Sequence, residues 1–99
     1  MREDFSETDQ LSLCNGSTAR QKLLGELFTR HRKKLRTLVA LRLDQRLQGR
    51  IDPSDVVQEA FLEAARRLEK YLKKPPMPLY FWLRRLTGQK LMQPRRFHL

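Results

Sequence analysis

Residues 52–72, DPSDVVQEAFLEAARRLEKYL, are the stretch that decides the fold, because they predict one helix with a marked start. Asp52 is a favourable N-cap, since its carboxylate can accept a hydrogen bond from a backbone N–H of the first turn. Pro53 fits the first helical position, where its missing N–H is not needed. Asp55 follows three residues after the cap, as in a capping box. The interior is rich in Ala, Glu, Leu and Arg, which all favour helix.

At 100° per residue this helix has two contrasting faces. The predicted core stripe is apolar and consists of Val57, Phe61, Ala64, Leu68 and Tyr71, flanked by Ala60 and Leu72. The opposite face is acidic and amidic around one leucine, and consists of Asp55, Gln58, Glu59 and Leu62. Acidic residues around an exposed leucine favour a docking surface for a basic partner. A solvated helix face is the alternative, and composition alone favours it.

One further helix is predicted on each side of this stretch. The first runs from about residue 19 to about residue 47, with Ser17 or Thr18 as its N-cap. The last begins near Leu79, after the proline-rich elbow of residues 75–78, and stops before Pro94. Its inner stripe is predicted to be Leu79, Trp82, Leu83 and Leu86. The expected fold is therefore all-α, a compact three-helix bundle over residues 17–99 with a flexible acidic leader over residues 1–16.

Length, charge and cysteine use narrow the function class. The chain has 99 residues, which predicts one domain. Its formal net charge is +10, which favours polyanions and makes nucleic acid the first candidate partner. A basic protein with no nucleic-acid role is the alternative. The single cysteine, Cys14, excludes an internal disulfide, and no apolar run is long enough for a membrane span, so a cytoplasmic protein is expected.

The sequence contains no catalytic set, metal-ligand cluster or cofactor motif, so an enzyme is not expected. The feature that suggests a binding function is the last helix with its tail, where three consecutive aromatic residues, Tyr80, Phe81 and Trp82, are followed by basic residues. Cations follow the phosphates of single-stranded nucleic acid while exposed rings stack on its bases. The candidate nucleic-acid contacts are Tyr80, Phe81, Arg84, Arg85, Lys90, Arg95 and Arg96. Trp82 lies on the inner stripe and is expected in the core.

The order of residues around these features resembles a known family. The segment Asp55-x-x-Gln58-Glu59-x-Phe61 is similar to the D-x-x-Q-E-x-F segment of bacterial sigma-70-type sigma factors, in their region 2.2. The helix around Leu27 and Phe28 looks like region 2.1 of that family. Residues 81–86, FWLRRL, look like region 2.3 of its extracytoplasmic-function (ECF) group. The resemblance covers about residues 22–96.

The resemblance implies a region 2 domain that acts in transcription initiation. Its region 2.2 helix would bind a coiled coil of the largest subunit of core RNA polymerase, through Asp55, Gln58, Glu59 and Leu62. Its last helix would recognise and melt the promoter −10 element by holding the non-template strand. An anti-sigma factor is a further partner that the family implies.

The sequence also departs from the family pattern. Leu86-Thr87-Gly88-Gln89 stands where the ECF group commonly has I-A-R-N, and Gln93 stands in place of an aspartate. The 99 residues contain no counterpart of region 4, the −35-reading helix-turn-helix. Two alternatives remain: a basic helical nucleic-acid-binding protein without a polymerase partner, and a protein-interaction decoy of polymerase or of an anti-sigma factor.

Overall fold

A computed structural model describes residues 4–43 and 50–93 and is helical in both ranges, which confirms the all-α class. In these ranges four helices follow one another: α1 (Ser6–Leu13), α2 (Ser17–Arg42), α3 (Pro53–Lys73) and α4 (Leu79–Met92). The last three correspond to the predicted bundle. The predicted count of three is wrong because α1 is an additional helix.

Helix α3 begins as its sequence predicts. The Asp52 carboxylate accepts a hydrogen bond from the Ser54 N–H at 2.9 Å, with Pro53 as the first helical residue. The core stripe is confirmed for Val57, Ala60, Ala64 and Leu68, which are fully buried, and for Tyr71, which is 4% exposed, whereas the flanking Leu72 is half-buried. Phe61 packs against the core as predicted but is only half-buried, with its ring centroid 4.9 Å from that of Phe28 on α2. The reason is a rotation of the stripe toward Val56, which has no exposed surface.

Helix α2 differs from the prediction at both ends. Its N-cap is Gly16, with a φ of 96°, and neither Ser17 nor Thr18 provides a side-chain cap. A positive φ is accessible to glycine without the steric cost that a side chain would add. The helix ends at Arg42, and residues 44–49, where the longer prediction ended, lie outside the described residues.

Helix α4 has the predicted bounds and the predicted inner stripe. Leu79, Trp82, Leu83 and Leu86 are all buried. Trp82 stacks on Tyr71 of α3, with ring centroids 4.0 Å apart and planes at 11°. Trp82 is therefore a core residue, as expected.

Helix α1 packs on the same core as the other three helices. Leu11 is fully buried within it, and Thr8 is 1% exposed. The sequence gives little signal for this packing, because α1 is only eight residues long and Leu13, its other leucine, is 80% exposed. The division into a leader of residues 1–16 and a domain of residues 17–99 stays a prediction.

Candidate functional site

The outer face of α3 lies opposite its core stripe. Asp55 and Gln58 are exposed, Glu59 is half-buried, and 55% of Leu62 is exposed. The four residues predicted to bind a partner therefore all lie outside the core. Together they form an acidic surface with one accessible apolar side chain on a strongly basic chain, hereafter the α3 outer face.

One turn further along α3, Glu63 is a buried charged residue that the sequence analysis did not single out. Both of its carboxylate oxygens accept hydrogen bonds from Arg66 Nη2 at 2.8 Å. Arg67 Nε lies 2.5 Å away, and Lys90 Nζ of α4 lies 3.1 Å away. The hydrogen bonds from Arg66 and Lys90 lower the pKa of Glu63 to about 2. The carboxylate thus links α3 to α4 through a charge cluster.

The candidate nucleic-acid contacts on α4 differ in how exposed their side chains are. Phe81 is 45% exposed, and Arg84 and Arg85 are exposed beside it. An accessible ring with two exposed arginines about one helical turn further along is suited to stacking on a base while the cations contact phosphates.

Tyr80 and Lys90 are less accessible than the sequence suggested. The Tyr80 ring is half-buried, with its centroid 5.0 Å from the His31 ring and 5.4 Å from Lys34 Nζ. The side chain of Lys90 is 19% exposed and is paired with Glu63. Arg95 and Arg96, the remaining two candidates, lie outside the described residues.

The comparisons with known proteins give one finding that decides the family. A family model described as Sigma-70 region 2 matches residues 27–96, which is more than half of the chain. The chain belongs to the sigma-70 region 2 family. No curated protein and no solved structure gave a match.

The sigma-70 region 2 match confirms the resemblance drawn from the D-x-x-Q-E-x-F segment. It begins within α2 and includes α3 and α4, so both surfaces described above lie in the family domain. Domains of this family are non-enzymatic parts of transcription initiation factors, which confirms that the chain is not an enzyme. Membership of the ECF group stays a prediction.

A buried hydrogen-bond network connects α1 to the sigma region 2 helices. The Leu79 N–H, in the first turn of α4, donates to Thr8 Oγ1 at 3.0 Å. Thr8 Oγ1 lies 2.8 Å from the Tyr71 hydroxyl, which donates to the Met77 carbonyl oxygen at 2.6 Å. Because the Tyr71 hydroxyl donates its one proton to the Met77 carbonyl oxygen, the Thr8 hydroxyl is the donor in its bond with the Tyr71 oxygen. Thr8 thus caps α4 from another helix, which no local sequence pattern reveals.

A second contact of α1 involves His31 of α2, whose Nε2 lies 2.7 Å from Glu7 Oε1. His31 therefore joins α2 to α1 through Glu7. In residues 4–43 and 50–93 there is no cluster of three His, Cys, Asp or Glu side chains that could hold a metal ion. None of the helices in these ranges combines the length and apolar character that crossing a bilayer requires.

Proposed function

We propose that this chain is a transcription initiation domain that binds core RNA polymerase through the α3 outer face and the promoter −10 element through the exposed side of α4. The observation that carries the proposal is the α3 outer face, with Leu62 55% exposed next to acidic residues on a chain of net charge +10. In the family that the chain belongs to, the corresponding helix binds a coiled coil of the largest polymerase subunit. The proposed place of action is the cytoplasm.

The chemistry of the α3 outer face fits a basic coiled coil. Asp55 and Glu59 lie one helical turn apart, so both carboxylates can meet cations along one side of a partner helix. Complementary charge of this kind fixes the register of an interface and speeds its formation. Leu62 lies a further three residues along the face and offers the apolar contact that a charged rim surrounds.

Fewer residues are proposed to contact DNA than were predicted from the sequence. Among the candidate contacts on α4, the exposed ones are Phe81, Arg84 and Arg85, so we assign base stacking to Phe81 and phosphate contacts to the two arginines. Tyr80 supports Phe81 from the side, with ring centroids 5.5 Å apart in an edge-on arrangement. Lys90 is assigned to the Glu63 cluster. Arg95 and Arg96 remain predicted contacts.

Binding of the full chain to purified core polymerase tests the proposal. The double variant Asp55→Arg, Glu59→Arg reverses the charge of the α3 outer face, and Leu62→Ala removes its apolar contact. Truncating a residue at the centre of an interface commonly costs at least about 2 kcal/mol, or roughly 30-fold in Kd. We expect a loss of that size for Leu62→Ala and a larger loss for the double variant.

The matched control is the double variant Asp9→Arg, Glu26→Arg, which makes the same change in net charge at exposed positions on α1 and α2. This control should bind polymerase as the parent does. If both double variants lose affinity equally, only net charge matters and the α3 outer face is not the interface. If the parent chain does not bind core polymerase, the nucleic-acid-binding alternative without a polymerase partner replaces the proposal.

A further inference from the structure

A groove of about 510 Å³ lies between the exposed side of α2 and the start of α4. Its rim is basic and its wall is largely apolar. The lining residues are Arg30, Lys33, Lys34, Thr37, Leu38 and Tyr80. We propose that this groove, hereafter the α2–α4 groove, binds the α3 outer face of a second copy of the chain, so that copies join head to tail.

The rim of the groove carries positive charge that the chain itself leaves largely unneutralised. Lys33 and Lys34 are exposed, and neither forms an ion pair with a carboxylate of residues 4–43 or 50–93. The Arg30 side chain is 68% exposed, and its Nη1 lies 4.0 Å from Glu7 Oε2, at the limit of an ion pair. The three cations follow one side of α2, because they are three and four residues apart. An acidic partner can therefore meet all three along one helix.

The wall of the groove offers an apolar surface beside these charges. Leu38 is half-buried and lies one helical turn after Lys34. The Tyr80 ring is also half-buried, with Lys34 Nζ 5.4 Å from its centroid. Apolar side chains at the centre of a contact are most effective where a polar rim surrounds them and excludes water. The groove is thus complementary to an acidic surface that has an apolar residue beside its charges.

The α3 outer face has this complementary chemistry and a matching length. Asp55 and Leu62 are both exposed and lie seven residues apart, or about 10 Å along the helix. Arg30 and Leu38 are eight residues apart, or about 12 Å. Charge precedes the apolar residue on both helices. When the two helices run in the same direction, the acidic residues therefore face the cations while Leu62 faces the wall of the groove.

A solvated basic face on α2 is the simpler explanation of the groove. That explanation accounts for the cations, but it does not account for the apolar wall beside them. It also leaves Leu62 exposed to 55% at the end of an acidic face whose length matches the groove. A second copy of the chain covers both apolar surfaces in one contact.

The net charge of +10 on each copy opposes this contact at long range. At physiological ionic strength, screening limits such repulsion to about 8 Å, so the charges that meet in the contact dominate. A single helix face is smaller than a standard interface, which places the contact in the weak, transient class. We expect a Kd between about 1 µM and 1 mM.

The α2–α4 groove and the α3 outer face share no residue, so each copy at the end of an assembly keeps one of the two surfaces open. Head-to-tail contacts of this kind need not close into a ring and allow growth beyond a dimer. A copy whose α3 outer face is occupied cannot use it to bind polymerase, so self-association limits the amount of chain that polymerase can bind. This consequence rests on the proposed function, whereas the contact between copies does not.

Sedimentation equilibrium of the full chain, treated with nuclease and studied over a concentration series, tests the proposal. The weight-average mass of the parent should rise above that of the monomer as concentration increases. Lys33→Glu, Lys34→Glu should raise the Kd at least about tenfold, because like charges then face each other. The control variant Arg32→Glu, Arg36→Glu makes the same change in net charge at exposed positions of α2 outside the groove. It should associate at least as strongly as the parent, since a lower net charge weakens the repulsion between copies.

The quadruple variant Lys33→Glu, Lys34→Glu, Asp55→Arg, Glu59→Arg exchanges the charges of the two surfaces and keeps the parental net charge. It should recover most of the affinity that the groove variant loses, and that recovery also shows that the groove substitutions leave the fold intact. No recovery would overturn the proposal, because the two surfaces would then not meet.

Three further outcomes would overturn the proposal. The first is a parent chain that stays monomeric up to about 1 mM. The second is an equal loss of association in the groove variant and its control, which would mean that only net charge matters. The third is association that disappears on nuclease treatment, which would identify nucleic acid as the occupant of the groove. Because the assay contains no polymerase, each outcome is independent of whether the α3 outer face binds polymerase.

Discussion

The hydroxyl of Thr8 on α1 is hydrogen-bonded to the first turn of α4, and replacing it tests how the fold holds that helix. Thr8→Val keeps the shape of the side chain and removes its hydroxyl. In the variant, the Leu79 N–H loses its acceptor at 3.0 Å, and the Tyr71 hydroxyl loses a donor at 2.8 Å while keeping its bond to Met77. The main loss is therefore one buried backbone donor without a partner.

A buried donor or acceptor left unsatisfied costs about 1–3 kcal/mol. That is a large share of the roughly 5–15 kcal/mol that stabilises a small domain. A domain of this size loses about 4–8 °C in Tm per kcal/mol, so we expect Tm to fall by at least about 4 °C. Thermal denaturation followed by circular dichroism measures the fall, and hydrogen exchange of the Leu79 amide locates its origin.

Thr8→Ser is the matched control, because it retains the hydroxyl and removes only a methyl group. The Leu79 amide should stay protected from exchange in Thr8→Ser and lose its protection in Thr8→Val. The reasoning is refuted if Thr8→Val melts within about a degree of the parent and its Leu79 amide exchanges at the parental rate. The first turn of α4 would then not depend on α1.

Two further predictions concern stability. The pKa of Glu63 is lowered from 4.5 to about 2 in the folded chain, so its stabilising effect is complete above pH 4.5 and is lost as pH falls through 2. As the pH is lowered through this window, the unfolding free energy of the parent should consequently fall more steeply than that of Glu63→Gln. If the unfolding free energies of the two proteins fall in parallel in acid denaturation, Glu63 does not stabilise the fold through the charge cluster. Gly88→Ala should stabilise α4 by about 0.5–1 kcal/mol in denaturant unfolding, because alanine favours helix and its Cβ would meet Arg42 Nη1 at an ordinary 3.5 Å. A destabilised Gly88→Ala would indicate that Arg42 requires the space beside Gly88.

The sequence predicts the features of the fold that depend on local patterns. The Asp52 cap, the proline elbow and the inner stripe of α4 are each specified by neighbouring residues, and all three are confirmed. The α3 outer face was predicted in the same way, since the position of the apolar stripe on a helix shows which residues lie on the opposite, exposed side.

Features that depend on distant residues could not be predicted in this way. Thr8 acts on Leu79, 71 residues later in the chain, and nothing around either residue indicates the contact. Glu63 is buried beside Lys90 of another helix, and no pattern around either residue indicates that pairing. The interpretation of Lys90 as a DNA contact depended on its charge alone, and the charge is paired in the fold.

The central claim is that α3 binds polymerase while α4 holds single-stranded DNA, and formation of a ternary complex tests it most directly. The measurement is the anisotropy of a labelled single-stranded oligonucleotide carrying a non-template −10 sequence, titrated with the chain in the presence and absence of core polymerase. We predict tighter binding with polymerase present, no such gain for Asp55→Arg, Glu59→Arg, and weaker binding throughout for Phe81→Ala. The account is contradicted if polymerase adds nothing to DNA binding, or if duplex DNA of equal length binds as tightly and Phe81→Ala has no effect.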